Sequence, residues 1–397
     1  MSRAHIIVIV CLASFFCGAG YGATFLLPVL VESFGAGTEL VGGVLAAAAV
    51  STLLTVAYAG HVSDRIGRAP AVGLAGLLLA AANAAFALSG GHPGLLLAGG
   101  IVIGIGWGLF YCLSAIILAV LIEPESRARM FLVSHACLMG GIGSAPLLAP
   151  LARSMDAPLV AAFALVALGT ALSGLALFAI APAIRREESV RKVEGVARLS
   201  LRAARLVLAS EARYPIIMVG LGACVFAGFH AYQTVIAEAA GVDYAYFFSI
   251  YAATVVLFRI VLAATSPKVP LYLASAWLLA AMTAGSALFL AIGGSLALYA
   301  LAAILLGIGY GIAYALIKAI AANEAPEGLS PQAMQLFNLS YFVGVFAFPG
   351  LGGVIIAEYG AMAFVAVMAV LAAIECAIAI QRHARQRNAE AARPVRA

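Results

Sequence analysis

Tyr310, Tyr314 and Lys318 stand four apart in the chain, so on a helix they share one face. Arg259 is the other cation set well inside an apolar run. A charge in such a run is costly to hold and marks the path of a solute or ion. The chemistry this pair suits is anion binding. A guanidinium grips a carboxylate through two hydrogen bonds, and an ammonium adds a point charge. His135 and His230 also lie inside apolar runs; an imidazole titrates in the neutral range and can carry a proton. Tyr232 and Gln233 follow His230 closely. Each residue has a plainer use as well. Lys318 can snorkel to the interface, Arg259 can clamp the inner ends of neighbouring helices, and the tyrosines and histidines can simply pack. Glu375 falls near the inner end of the last apolar run, and Glu32 and Glu238 near the outer ends of theirs. No carboxylate is therefore expected near the bilayer centre.

A second group is compact. The stretch GHVSDRIGRAP, 60–70, holds His61, Asp64, Arg65 and Arg68 in a chain that is 64% hydrophobic and 10% charged. It falls between two apolar runs, where loop anchoring alone explains Arg68 but not Asp64 or the two glycines.

These residues need a scaffold, and hydropathy supplies it. A mean hydropathy of +1.10, with apolar runs repeated along the chain, indicates a polytopic membrane protein. Lipid offers backbone groups no partners, and strand-like alternation is absent, so the expected fold is an all-α bundle. Twelve spans are predicted, at 5–31, 40–60, 70–89, 94–122, 128–152, 157–182, 213–238, 243–265, 269–292, 295–322, 331–357 and 360–381. The first is too long for a signal peptide and leads into further spans. Cys11, Cys17, Cys112, Cys137, Cys224 and Cys376 all fall in spans without a CxxC pair, so they read as packing residues. No metal and no cofactor is expected.

Of the 22 Lys and Arg, only Arg153 falls outside the cell and only Arg259 and Lys318 well within spans if the N-terminus is cytoplasmic. The net charge of +5 therefore reflects topology, and nucleic acid is excluded as a partner. The longest polar stretch, Arg185 to Arg213, divides the spans into six and six and suggests an amphipathic helix on the cytoplasmic surface. The expected organisation is a six-helix bundle at 1–182, a cytoplasmic linker at 183–212, a second six-helix bundle at 213–381 and a cytoplasmic tail at 382–397. An internal repeat supports the division. A slide of 203 residues lays GIGWGLFY, 104–111, on GIGYGIAY, 307–314, and Gly141 and Pro146 on Gly344 and Pro349. A slide of 206 lays Gly22, Glu32 and Gly35 on Gly228, Glu238 and Gly241. Trp107 and Tyr111 thus take the places of Tyr310 and Tyr314, and His135 that of Asn338. Parallel six-span repeats are a mark of one large transporter class.

The loop at 60–70 resembles the signature of the major facilitator superfamily: Gly60, Asp64, Arg65, Gly67 and Arg68 match, and Ala69 departs where a further basic residue is usual. The resemblance extends to the spans, repeat and linker. It implies that spans one, four, seven and ten line a central cavity. Aromatic rows would then face each other across it, with Arg259, Lys318, His135, His230, Gln233 and Asn338 nearby. It also implies that the five matched residues form a conformational latch, with Asp64 meeting a helix N-terminus in the other half, where the dipole favours an anion. The corresponding stretch of the second half, AATSPKVP at 263–270, keeps Lys268 but no Asp, so the latch is one-sided. GIGSAPLLAP, 141–150, resembles the small-residue motif of exporters in the family, with Ala145, Ala149 and Pro150 replacing small positions.

The leading expectation is a secondary transporter moving a small organic anion by alternating access, as a monomer in the lipid bilayer of a bacterial inner membrane, with protons as a candidate coupling ion. The first alternative is a proton-coupled exporter of drug-like or hydrophobic molecules. The second is a non-transporting sensor or assembly factor. Neither a nucleophile elbow nor a phosphate-binding loop occurs, which argues against an enzyme.

Overall fold

The computed structural model describes residues 3–35, 38–190, 198–265 and 269–391, and every regular element within them is helical. The helices are α1 (Arg3–Gly22), α2 (Thr38–Ile66), α3 (Arg68–Ala87), α4 (Pro93–Leu121), α5 (Pro124–Ser144) and α6 (Val160–Val190), then α7 (Arg213–Ala240), α8 (Ala245–Thr265), α9 (Leu271–Leu288) and α10 (Leu296–Asn323). A continuous helical stretch, Ser330–Ala391, contains α11 and α12, separated at Gly360, whose φ of 83° and ψ of 170° break the helix. Each span expected from hydropathy thus has a helix. Among the described residues nine are long and apolar enough to cross a bilayer, with α11 and α12 counted as one. By that measure α5 falls short because it opens with Glu125, Arg127 and Arg129; α8 runs Ala245–Thr265, with Arg259 followed by further apolar residues.

Local sequence explains the ends. Proline opens α4 and α5, where its missing N–H costs nothing. Gly241, at φ 70°, closes α7 in the left-handed conformation. The signature stretch is mostly helix: α2 continues to Ile66, and Gly67 alone, at φ 92°, turns the chain into α3. α7 is interrupted at Tyr232 (φ −114°, ψ 16°), whose hydroxyl donates to the Pro349 carbonyl at 2.5 Å.

The chain divides into two compact units, Met1–Val207 with Pro326–Leu339, and Leu208–Ala325 with Ser340–Ala397. In the first, α4 packs on α2 and α3, α1 on α5 and α6, and α3 on α6. In the second, α10 packs on α7, α8 and α9. Helices in lipid gain nothing from excluding water, so they associate through close contact at small residues. An added Cβ at Gly141 of α5 would strike the Phe15 carbonyl of α1; at Gly344 of α11 it would lie 2.7 Å from the Gly220 carbonyl of α7. The positions matched by the repeat therefore seal equivalent crossings in the two units.

The linker contains an amphipathic helix, Leu201–Ala209, that buries Ala203 and Val207 and exposes Arg202 and Arg205. Residues 191–197 of the expected linker, 392–397 of the tail, and Lys268 lie outside the described residues, as do the side chains of Pro146 and Pro150.

Candidate functional site

The duplicated glycine motif builds the walls. Gly104 faces Ala48 and Ser51 of α2, while Gly106 faces Ala75 and Leu79 of α3. In the second unit Gly307 faces Tyr251 and Thr254 of α8, and Gly309 faces Leu278 and Met282 of α9. With their glycine sides sealed, α4 and α10 present the next residue, Trp107 or Tyr310, to α1 or α7. Trp107 stacks on Tyr21 with ring centroids 4.3 Å apart and planes 15° apart. Tyr310 stacks on Phe226 at 4.9 Å and also 15°. Tyr21 and Phe226 were missed by the sequence reading; the signal was there, because they lie 205 apart, beside the 206-residue slide that matches the ends of α1 and α7.

In the second unit the stack opens on a narrow cleft with about 10 Å³ of enclosed space, lined by Phe226, Phe229, His230, Phe247, Tyr251 and Tyr310 among others. His230 Nδ1 lies 2.8 Å from the Phe226 carbonyl. A carbonyl only accepts, so Nδ1 carries the hydrogen and Nε2 keeps the lone pair of the neutral ring. Tyr251 and Phe247 meet the imidazole edge-on.

Below the cleft stand the cations. Arg259 of α8 is 4% exposed and donates from Nε and Nη2 to the Gly311 carbonyl of α10, the first at 2.8 Å. Lys318 is 7% exposed, with its ammonium 5.5 Å from the centroid of the Tyr314 ring. Tyr314 in turn meets Tyr310 and Tyr341. The structure therefore brings His230, Tyr310, Tyr314, Lys318 and Arg259 onto three adjacent helices of one unit. It does not add Gln233, which is buried and donates to the Tyr299 hydroxyl at 2.6 Å. Trp107, Tyr111 and His135 belong to the first unit, the two aromatics buried and the histidine half-buried. Asn338 is fully buried in the part of α11 grouped with that unit, and neither of its amide atoms has a hydrogen-bond partner.

Glu375, expected near the inner end of its span, sits against Gly222 of α7 and the Tyr310 ring, well inside the second unit, and its helix runs on to Ala391.

At the signature stretch, Asp64 Oδ2 accepts the Arg198 N–H at 2.9 Å. The family resemblance implies a helix N-terminus in the other half as the partner; this donor is instead a backbone N–H ahead of the linker helix, in the same unit as Asp64. Arg68, 8% exposed, forms an ion pair with Glu188 at 2.8 Å, and Arg185 donates to the Ile66 carbonyl at 3.2 Å. Gly67 admits the Arg185 guanidinium, which an added Cβ would meet at 3.2 Å; Arg65 is exposed and Gly60 buried. Gln335, at the start of α11, donates to the Val56 and Ala57 carbonyls of α2 at 2.8 and 3.0 Å.

A family model described as Major Facilitator Superfamily matches residues 9–349. No curated protein sequence matches significantly. Among solved structures, the human organic anion transporter MFSD10 (TETRAN) is similar with a TM-score of 0.77 at 18% identity, covering 96% of this chain and 100% of that one. The proton:xylose symporter XylE gives 0.73 at 14% identity, covering 96% of each chain. The fucose:proton symporter FucP of E. coli, in its N162A form, gives 0.70 at 14%, covering 96% of this chain and 99% of that one. At these identities the likeness is one of fold.

Proposed function

The chain belongs to the major facilitator superfamily and is a multi-pass secondary transporter, not an enzyme; from that premise we propose that its solute is a small organic anion moved by alternating access. One observation carries the reading. Two cations, Arg259 of α8 and Lys318 of α10, are buried on neighbouring helices of the same unit. Holding each cation in a bilayer costs ~3 kcal/mol on insertion scales. An anion arriving between α8 and α10 offsets part of that cost. The guanidinium can rotate from the Gly311 carbonyl to grip a carboxylate on two prongs. The distribution of Lys and Arg supports cytoplasmic termini.

The test is a thermal-shift screen of purified protein against carboxylates, sugars, amino acids and cationic dyes. Carboxylates should stabilise the wild type, Arg259→Ala should lose that shift, Arg259→Lys should recover it in part, and Lys318→Ala should lose less. A wild-type carboxylate shift in Arg259→Ala would sink the anion reading. A second reading, export of hydrophobic molecules, is favoured by the aromatic lining of the cleft. Its enclosed space of about 10 Å³ is far below the ~300 Å³ at which drug-sized pockets begin. Stabilisation by cationic aromatic dyes alone would promote that reading.

A further inference from the structure

Glu375 is an ionisable group to which the anion reading gives no role. It is 1% exposed, and its Oε2 has no hydrogen-bond partner. An added Cβ on Gly222 would lie 2.8 Å from Oε2, 3.0 Å from Oε1 and 3.1 Å from a Tyr310 ring carbon. Both oxygens therefore press on bare backbone where α7, α10 and α12 meet. From the start of α7, Gly222 is ~14 Å along the axis at the helical rise, close to the middle of a hydrocarbon layer ~30 Å thick.

Among the described residues, the ionisable groups around the carboxyl are Cys224 on α7, Tyr310 on α10 and Cys376 on α12 itself. None of these is a cation. The Tyr310 hydroxyl is likewise buried without a hydrogen-bond partner. An ionised carboxylate here would lack water and a counter-charge, a combination that costs several kcal/mol or more. A bound proton removes that cost. The repeat sharpens the point. In the first unit the α1–α6 crossing, which corresponds to α7–α12, brings the Cys17 thiol and the Ser173 hydroxyl to 3.8 Å, a neutral pair. The second unit places an acid at the equivalent crossing. Gly222, Phe226 and His230 stand four apart on α7, so the carboxyl lies at one end of the stripe that lines the aromatic cleft.

We propose that Glu375 is an intramembrane proton-binding site of the second unit. It holds a proton in the arrangement seen here, and the proton leaves to water only when α7, α10 and α12 part enough to wet the Gly222 gap. The test is infrared spectroscopy of the whole protein in lipid vesicles at neutral pH. The wild type should show the carbonyl stretch of a protonated carboxylic acid that Glu375→Gln lacks, and that band should shift slowly in heavy water. Should the Gln variant fail to fold, Glu375→Asp keeps the acid and should displace the same band. No difference in the acid band between the wild type and a folded variant would show an ionised Glu375 and overturn the proposal. The measurement uses no solute, so it decides for Glu375 whether or not the anion reading stands.

Discussion

Gly104 and Gly143 look alike in sequence and differ in what surrounds them. A Cβ on Gly104 would strike Ser51 Oγ and the Ala48 carbonyl, whereas one on Gly143 would meet open space. Gly104→Ala should therefore lower the melting temperature, at an overpacking cost of ~1–3 kcal/mol. Gly143→Ala should leave it unchanged or raise it, since alanine favours a helix by ~0.5–1 kcal/mol. Scanning calorimetry in detergent checks both, and equal effects would contradict the packing described. His230 offers a second test. Its Nε2 is the nitrogen that can take up a proton, so His230→Gln should abolish pH-driven transport and spare solute exchange if this ring is on the proton path. Unchanged pH dependence would assign that path elsewhere, with Glu375 the next group to test. The cations were legible in the sequence because charge stands out in an apolar run. The Gly311 carbonyl that holds Arg259 was not, since a backbone acceptor has no sequence signature. Glu375 was legible as a residue of the last span, while the gap beside Gly222 that it fills was not, since a glycine has no side chain to mark it.

The helices and the duplicated motifs were legible from period and composition, while the joints between them were not. The signature stretch looked like a loop, yet it is the last turns of α2 and the first of α3 about one glycine. Asp64→Asn keeps an acceptor for the Arg198 N–H but loses the charge that strengthens the bond. It should depress transport and alter the ratio of inward to outward accessibility without affecting membrane insertion, as cysteine-accessibility labelling can measure. An unchanged ratio with full transport would remove the latch role. A second joint was not anticipated. Arg382 of α12 pairs with Glu211 before α7 and, at 3.6 Å, with Glu324 after α10; the Tyr272 hydroxyl donates to Glu324 at 2.7 Å. Burial is the main cause that lifts the Glu324 carboxyl above its ordinary range. Folding therefore favours its protonated form, so its contribution is most favourable at acid pH and declines as pH rises through and above the ordinary carboxylate range. The melting temperature of wild type minus that of Glu324→Gln should fall over that window. A difference that rises instead would show that the Arg382 and Tyr272 contacts outweigh burial.

At the scale of the molecule, two units share helix order, glycine contacts and a stacked aromatic pair, yet differ in charge. The first presents Tyr21, Trp107 and Tyr111 from its spans, and the second adds Arg259, Lys318 and Glu375. Duplication accounts for the scaffold, and under the anion reading the departures from it carry the binding groups. The solute should therefore be read chiefly by the second unit, and Trp107→Ala should weaken binding less than Arg259→Ala. The direction of transport has no such marker, because the small-residue motif that resembles exporters also serves as a packing surface between α1 and α5. The most direct measurement is uptake into proteoliposomes of a radiolabelled aromatic carboxylate and of a cationic dye, each with wild-type protein and with folded Arg259→Ala. The expected result is saturable uptake of the carboxylate alone, lost in the variant; uptake of the cation, or carboxylate uptake that survives loss of Arg259, would contradict an anion site built on this residue.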